Sequence, residues 1–324
     1  MPLTRRLLIA LPLVAGLAAA TAAVAAEPPP AEIRVDWAFY NPVSLVLKDQ
    51  GLLEKEFETD GISVRWVQSQ GSNKALEFLN AGSIDFGSTA GAAALLARIN
   101  GNPVKSVYVY SRPEWTALVT TADSPIAAVK DLAGKSVAVT RGTDPHIFLV
   151  RALAEAGLGE KDVKLVLLQH PEGKLALLRG DVDAWAGLDP LMASAEVEDG
   201  AKLFYRNPAA NTWGVLNVSE SFAEAHPDIV ARVLATYEKA RLWALANPEA
   251  LKATLVAATK LPEPVVARQL ERTDLTHSSI GAPQRETILA AGLALQEAGV
   301  VKPDVDVAAT VDALIDIRFP VASQ

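Results

Sequence analysis

Residues Leu76–Ala97 read LEFLNAGSIDFGSTAGAAALLA, and this stretch decides the fold class. A helical run from about Lys74 ends at Asn80. Ile84–Phe86 is short and β-like, Gly87-Ser88-Thr89 is a turn-rich junction, and Ala90–Ile99 is helical again. A strand set between two helices is the unit of a parallel sheet with crossover helices. The alternation repeats outward from this unit. Ile33–Trp37, Ile62–Val67 and Val104–Tyr110 read as strands, and Asn41-Pro42 opens a helix over Val43–Asp49 that Gly51 closes.

A second unit begins near Thr120. Strands are expected at Ser136–Thr140, Val163–Leu168, Ala184–Ala186 and Val215–Val218, with helices at Pro145–Ala156 and Gly173–Arg179. Pro145 at the first helical position makes Asp144 the expected N-cap. The last third is helical. Ser221-Phe-Ala-Glu224 has the form of a capping box, and Pro227–Asn247 carries apolar residues at helical spacing. No period of 20–50 residues repeats, so the chain is no solenoid.

The 324 residues suffice for one large or two modest domains, and 50% hydrophobic content is too high for a disordered chain. The chain has no Cys, which removes disulfides, thiolate metal sites, a Cys nucleophile and a lipidated Cys. A net charge of −8 argues against nucleic acid and anionic lipid as partners. The four His are far apart and lack ligand spacing, so no metal site is expected.

Residues 1–26 read as a secretory signal peptide. Arg5 and Arg6 form the basic start, an apolar run follows to Ala20, and Val24 and Ala26 have the small-residue spacing of a cleavage site. Thr4-Arg5-Arg6 also admits twin-arginine export. Removing 26 residues leaves 298 and takes the charge from −8 to −10. The mature chain holds no apolar run long enough to span a bilayer, so a periplasmic chain without membrane insertion is expected.

Three junctions share one chemistry: Gly71-Ser72-Asn73, Gly87-Ser88-Thr89 and Gly142-Thr143-Asp144. Each sets Gly before hydroxyl or amide residues at an expected helix start. Helix N-termini present unpaired N–H groups and the positive end of a dipole, so such junctions hold anions without a formal charge. Plain N-capping is the alternative for each of them. Their position at the carboxyl ends of strands favours a ligand site. Asp144 either caps its helix or meets an amino or hydroxyl group of the ligand. Trp115 is a candidate pocket wall beside Arg112, whereas Trp37 and Trp185 are expected in the core. Arg112 and Arg141 are candidate extra charges. No P-loop, nucleophile elbow, HExxH or GxGxxG motif occurs, so no enzyme and no cofactor are expected.

The stretches LEFLNAGSIDFGSTAGAAALLA, SPIAAVKDLAGKSVAVTRGTD (124–144), LLRGDVDAWAGLDP (177–190) and NPVSLVLKDQGLLEKEF (41–57) resemble the solute-binding proteins of sulfonate, nitrate and taurine ABC importers. The resemblance covers nearly all of the mature chain. It implies an α/β, two-lobed periplasmic binding protein-like fold of the second type with two crossing hinge segments. Lobe 1 would then be 31–119 plus 219–324, lobe 2 would be 120–218, and the crossings would fall near Ala117–Thr120 and Val215–Val218. It further implies a monomer that captures a small organic anion, foremost an aliphatic sulfonate, for a permease with its ATPase. The ligand candidates carried over are Ser72, Ser88, Thr89, Gly142, Thr143 and Asp189, with Asn41 at the cleft mouth; Trp115 and Asp144 join them from the residue reading. Gly142-Thr143-Asp144-Pro145 departs from the Ser-rich run of relatives, which keeps a zwitterionic or larger ligand open. Rival readings are the same fold binding nitrate, taurine, bicarbonate or a pyrimidine precursor, and an exported enzyme using Asp144, His146 and Asp189 as acid–base groups.

Overall fold

The computed structural model describes residues 28–321; the expected signal peptide, 1–26, lies outside the described residues. Two sheets organise the chain. The first is built from β1 (Glu32–Trp37), β2 (Ser63–Gln68), β3 (Phe86–Ala90) and β4 (Val104–Pro113). The second holds β5 (Leu118–Thr120), β6 (Ser136–Val139), β7 (Lys164–Leu167), β8 (Ala184–Ala186) and β9 (Lys202–Tyr205). The chain then returns to the first sheet with β10 (Gly214–Ser219) and the two-residue β11 (Thr273–Asp274).

The strand orders are β11-β4-β10-β3-β1-β2 and β7-β6-β8-β5-β9. The two sheets share one plan. In the first, β1 is parallel to β2 and β3, and antiparallel β10 separates β3 from β4. In the second, β6 is parallel to β7 and β8, and antiparallel β5 separates β8 from β9. Each sheet thus receives as its antiparallel strand the one that arrives from the other sheet.

Residues 114–117 and 206–213 join the two sheets. Val215–Val218, expected as a crossing, instead lies wholly in β10, paired with both β3 and β4. Gly214 begins that strand where a Cβ would lie 2.5 Å from the Tyr110 ring, so only glycine lets β10 enter so close to β4. Gly87-Ser88-Thr89 belongs to β3 and is fully buried, and the next helix, Gly91–Ile99, starts later than expected. Ser221 does not cap its helix; Ser219 does, accepting from Phe222 N at 3.3 Å.

The large core of the first sheet packs Ile33, Val35, Phe86, Tyr108 and Leu216 against the helices Pro42–Asp49, Gly91–Ile99 and Pro227–Ala246. The second sheet has smaller clusters on its two faces, around Phe148 and Leu153 and around Trp185 and Leu177. Among the described residues no helix is long and apolar enough to cross a membrane.

Candidate functional site

Two helix N-termini meet where the lobes face each other. Ser72–Asn80 follows β2, and Asp144–Glu155 follows β6; their N-cap residues, Gly71 and Thr143, make no side-chain capping bond. A position for Cβ on Gly142 lies 3.8 Å from Asn73 Cβ, so the two junctions approach across the cleft. Tyr40, Ser72, Trp115, Thr143, Asp144, Pro145 and Leu188 enclose a cavity of about 10 Å³ there. That is room for about one water. The Ser72 hydroxyl accepts from Ala90 N at 3.0 Å, and among the described residues its own proton has no acceptor. The Thr143 hydroxyl donates to Thr140 O at 2.6 Å and fixes the turn before its helix.

Asp144 neither caps its helix nor presents a free carboxylate. One oxygen accepts from Trp115 Nε1 at 2.8 Å and from Thr212 N at 3.0 Å, and the other accepts from the Thr212 hydroxyl at 2.7 Å. Trp115 and Thr212 lie in the two crossing segments, so Asp144 binds both crossings to the start of a lobe 2 helix. Burial pushes its carboxyl above the usual range while these donors oppose that shift. Thr116 N donates to Asn211 Oδ1 at 2.9 Å, and Arg206 forks onto Glu114, which joins the crossings to each other. Trp115 packs edge-on to Tyr40 with ring centroids 5.9 Å apart.

Beyond Tyr40 and Leu188 lies a cavity of about 110 Å³ bordered by Phe39, Ser69, Gln70, His170, Pro171 and Asp189. His170 opens the helix His170–Arg179 and is 1% exposed. Burial lowers its pKa to about 3, so the ring is neutral. Burial raises Asp189 to about 7 against the pull of Arg272, whose Nη1 lies 3.5 Å away. Arg272 also pairs with Glu196, and Arg268 reaches Glu196 at 3.3 Å. These ion pairs tie the helix Glu263–Glu271 of lobe 1 to Leu191–Asp199 of lobe 2 at the cleft edge.

The remaining candidates support the first lobe from within. Ser88 N and its hydroxyl both donate to Asp36 Oδ1 at 2.8 Å, and Asn41 Nδ2 donates to Ser88 Oγ at 2.8 Å. Asn41 also caps its helix through Ser44 N at 3.2 Å. Asp36 is fully buried and raised to about 6 by desolvation. Thr89 turns to the other side of β3, accepting from Asn217 at 2.7 Å and donating to Ala90 O at 3.0 Å. Ser88 and Thr89 are therefore buried residues of β3 with hydroxyls bonded inside lobe 1, and they line neither cavity. The helix after them has Gly91 N committed to Trp213 O and Ala92 N to the Thr212 hydroxyl.

Arg112 stacks on Trp213 at 5.3 Å and Arg141 lies 3.6 Å from Glu160, so neither lines the two cavities. Asp144, His146 and Asp189 do not form one acid–base site. Asp144 is held by the crossings, His146 Nε2 meets Glu160 at 2.8 Å, and Asp189 borders the other cavity. Sequence reasoning placed Asn73 in the Gly71-Ser72-Asn73 junction without naming it a ligand candidate, and it did not single out His170 or Arg272 for the cleft. One pattern points to His170: a polar residue directly before Pro at the carboxyl end of a strand. It recurs as Asn41-Pro42, Asp144-Pro145, His170-Pro171 and Asp189-Pro190. Arg272 ends an ordinary surface-like helix, and its sequence environment carries no comparable mark.

Comparison with known proteins agrees with this geometry. The NMT1/THI5-like family matches residues 55–251. A relative from Escherichia coli (strain K12), named for binding aliphatic sulfonates, is 32% identical over 289 residues, covering 87% of this chain and 90% of its own. The alkanesulfonate-binding protein SsuA from Xanthomonas axonopodis pv. citri, solved bound to MOPS, superposes with a TM-score of 0.81 at 25% identity, covering 90% of this chain and all of that one. The periplasmic aliphatic sulphonate binding protein SsuA from Escherichia coli gives 0.75 at 27% identity, covering 91% and 96%. This chain belongs to the NMT1/THI5-like family and has the periplasmic binding protein fold.

Proposed function

We propose that this protein is the periplasmic substrate-binding component of an ABC importer and captures an aliphatic sulfonate between its lobes. The observation that carries the proposal is the convergence of two helix N-termini, Ser72–Asn80 and Asp144–Glu155, from opposite sheets onto one cavity. Ser72 N, Asn73 N and the Ser72 hydroxyl at one helix and Asp144 N at the other, where Pro145 has no N–H to give, suit an anionic head without a formal positive charge. The apolar and aromatic walls, Tyr40, Phe39, Leu188 and Trp115, suit a carbon skeleton and disfavour a bare inorganic ion.

On this reading lobe 1 comprises 31–113 and 214–321, lobe 2 comprises 118–205, and the lobes swing about 114–117 and 206–213. The ligand bridges the two N-termini only when the lobes are closed, so it favours the closed form. Residues 1–26 direct export, the mature protein is a monomer, and its closed form docks on a permease that works with an ATPase. No bond is made or broken; the dispersed partners of Asp144, His146 and Asp189 favour a binder over an enzyme.

A thermal-shift panel of methanesulfonate, propanesulfonate and nitrate tests the ligand class. A ligand at 100 times its Kd stabilises by about 2.7 kcal/mol. A shift with the alkanesulfonates but not nitrate is expected, and no shift with any sulfonate at saturating concentration overturns the assignment.

A further inference from the structure

Asp144 sets a conflict into the site that it borders. It is the first residue of the helix Asp144–Glu155, and its N–H is one of the donors assigned to the anionic head. Its own carboxylate is 2% exposed and belongs to the wall of the same small cavity. A carboxylate beside a bound anion repels it, and burial leaves the repulsion poorly screened.

Three donors draw that charge towards the crossings. Trp115 Nε1 comes from one crossing, and Thr212 N and the Thr212 hydroxyl come from the other. Trp115 lines the small cavity, whereas Thr212 is fully buried and lines neither cavity. The Thr212 hydroxyl has a second bond, accepting from Ala92 N at 3.3 Å. Ala92 lies in the first turn of the helix Gly91–Ile99 of lobe 1, whose N-cap, Ala90, makes no side-chain capping bond. Gly91 N is met by Trp213 O at 2.9 Å, so the crossing itself closes the start of that helix. One hydroxyl thus joins a helix start of each lobe and spends its proton on Asp144. The N–H it accepts from lies at the positive end of a helix, which polarises the hydroxyl and strengthens it as a donor. Burial pushes the Asp144 carboxyl up, and the Thr212 hydroxyl is foremost among the donors that oppose the shift and favour the ionised group.

We propose that Thr212 is a positioning residue for anion capture: its hydroxyl turns the Asp144 carboxylate away from the head group and leaves the Asp144 N–H to face it. The proposal rests on the cleft assignment above and deepens it. Thr212 touches no ligand. It acts by keeping negative charge on the crossing side of Asp144 and by fixing the start of one anion-binding helix against the opposite lobe.

Titration calorimetry of methanesulfonate into the mature protein tests the proposal. Thr212→Val keeps the side-chain shape and the backbone N–H and loses the hydroxyl; affinity is expected to fall about tenfold. Thr212→Ala reads the same loss without a methyl in place of the hydroxyl. Thr212→Ser keeps the hydroxyl and is expected to restore binding to within about threefold. Asp144→Asn removes the charge, so adding Thr212→Val to it is expected to cost about twofold or less. A bond that only holds the fold together lowers the melting temperature of Thr212→Val without this dependence on the Asp144 charge. Affinities of Thr212→Val and Thr212→Ala within about twofold of the unmodified protein overturn the inference and leave the cleft assignment standing. A tenfold loss that persists beside Asp144→Asn does the same. Absence of binding in the unmodified protein overturns the cleft assignment itself.

Discussion

Asp144 and His170 begin two helices of the same lobe, each directly before a proline and each almost fully buried, yet their surroundings are opposite. Both Asp144 oxygens are occupied, by Trp115 and Thr212 of the two crossings. His170 has one nitrogen on Thr140, and among the described residues the other has no partner. The difference separates scaffold from site. A buried polar group whose partners all come from the protein fixes geometry, whereas the open nitrogen of His170 sits at the wall of the larger cavity. The identical local motif, strand then polar residue then proline, serves both ends.

The sharpest way to break this contrast is to remove the saturated member. Asp144→Ala leaves the Trp115 indole N–H, Thr212 N and the Thr212 hydroxyl without their acceptor. A loss of about 3 kcal/mol in unfolding free energy is expected by denaturant titration. A change below 0.5 kcal/mol would mean that the crossings do not depend on Asp144.

Ser72→Ala acts on the ligand side. It removes the one hydroxyl in the small cavity whose proton is uncommitted. Sulfonate affinity is expected to fall by about tenfold, roughly 1.4 kcal/mol, in calorimetry.

The titrating groups of the outer cavity give a pH signature of opposite signs. Asp189 has a raised pKa of about 7, so its contribution to stability is present below about pH 4 and is lost as pH rises to 7. His170 is depressed to about 3, so its contribution is present above about pH 6.5 and is lost as pH falls towards 3. Melting temperatures measured from pH 4 to pH 8 are expected to show Asp189→Asn gaining on the unmodified protein as pH rises through 4 to 7. A difference independent of pH would contradict the burial of that carboxyl.

The smallest expected effect on binding belongs to Thr89→Ala. Its hydroxyl serves Asn217 and Ala90 inside lobe 1, so the change is expected to cost about 1 kcal/mol of stability and to leave sulfonate affinity unaltered. A weaker Kd would bring β3 back into the site.

The alternation in Ile33–Trp37, the helix opened by Asn41-Pro42 and the long helix from Pro227 were legible because local pattern and burial coincide there. Gly87-Ser88-Thr89 was not, because glycine and small hydroxyl residues are weak strand formers and only pairing with β1 and β10 makes them a central strand. β9, with no buried residue, carries too little alternation to be read. Of the candidate residues, Ser72, Thr143 and Trp115 line the small cavity, and they were legible because helix starts and an aromatic after a strand have local marks. The true partner of Asp144, Thr212, lies 68 residues away, and only the folded crossings bring it near.

One measurement tests the central assignment most directly: calorimetric titration of an alkanesulfonate into Ser72→Asp beside the unmodified protein. A carboxylate suits a helix N-terminus, and circular dichroism of Ser72→Asp checks that the fold survives a second carboxylate beside Asp144. That same carboxylate occupies the place assigned to the sulfonate head. Saturable 1:1 binding in the unmodified protein and a loss of about 100-fold or more in Ser72→Asp is the predicted result. Equal affinity in the two proteins would contradict the assignment and move the anion away from the paired helix N-termini.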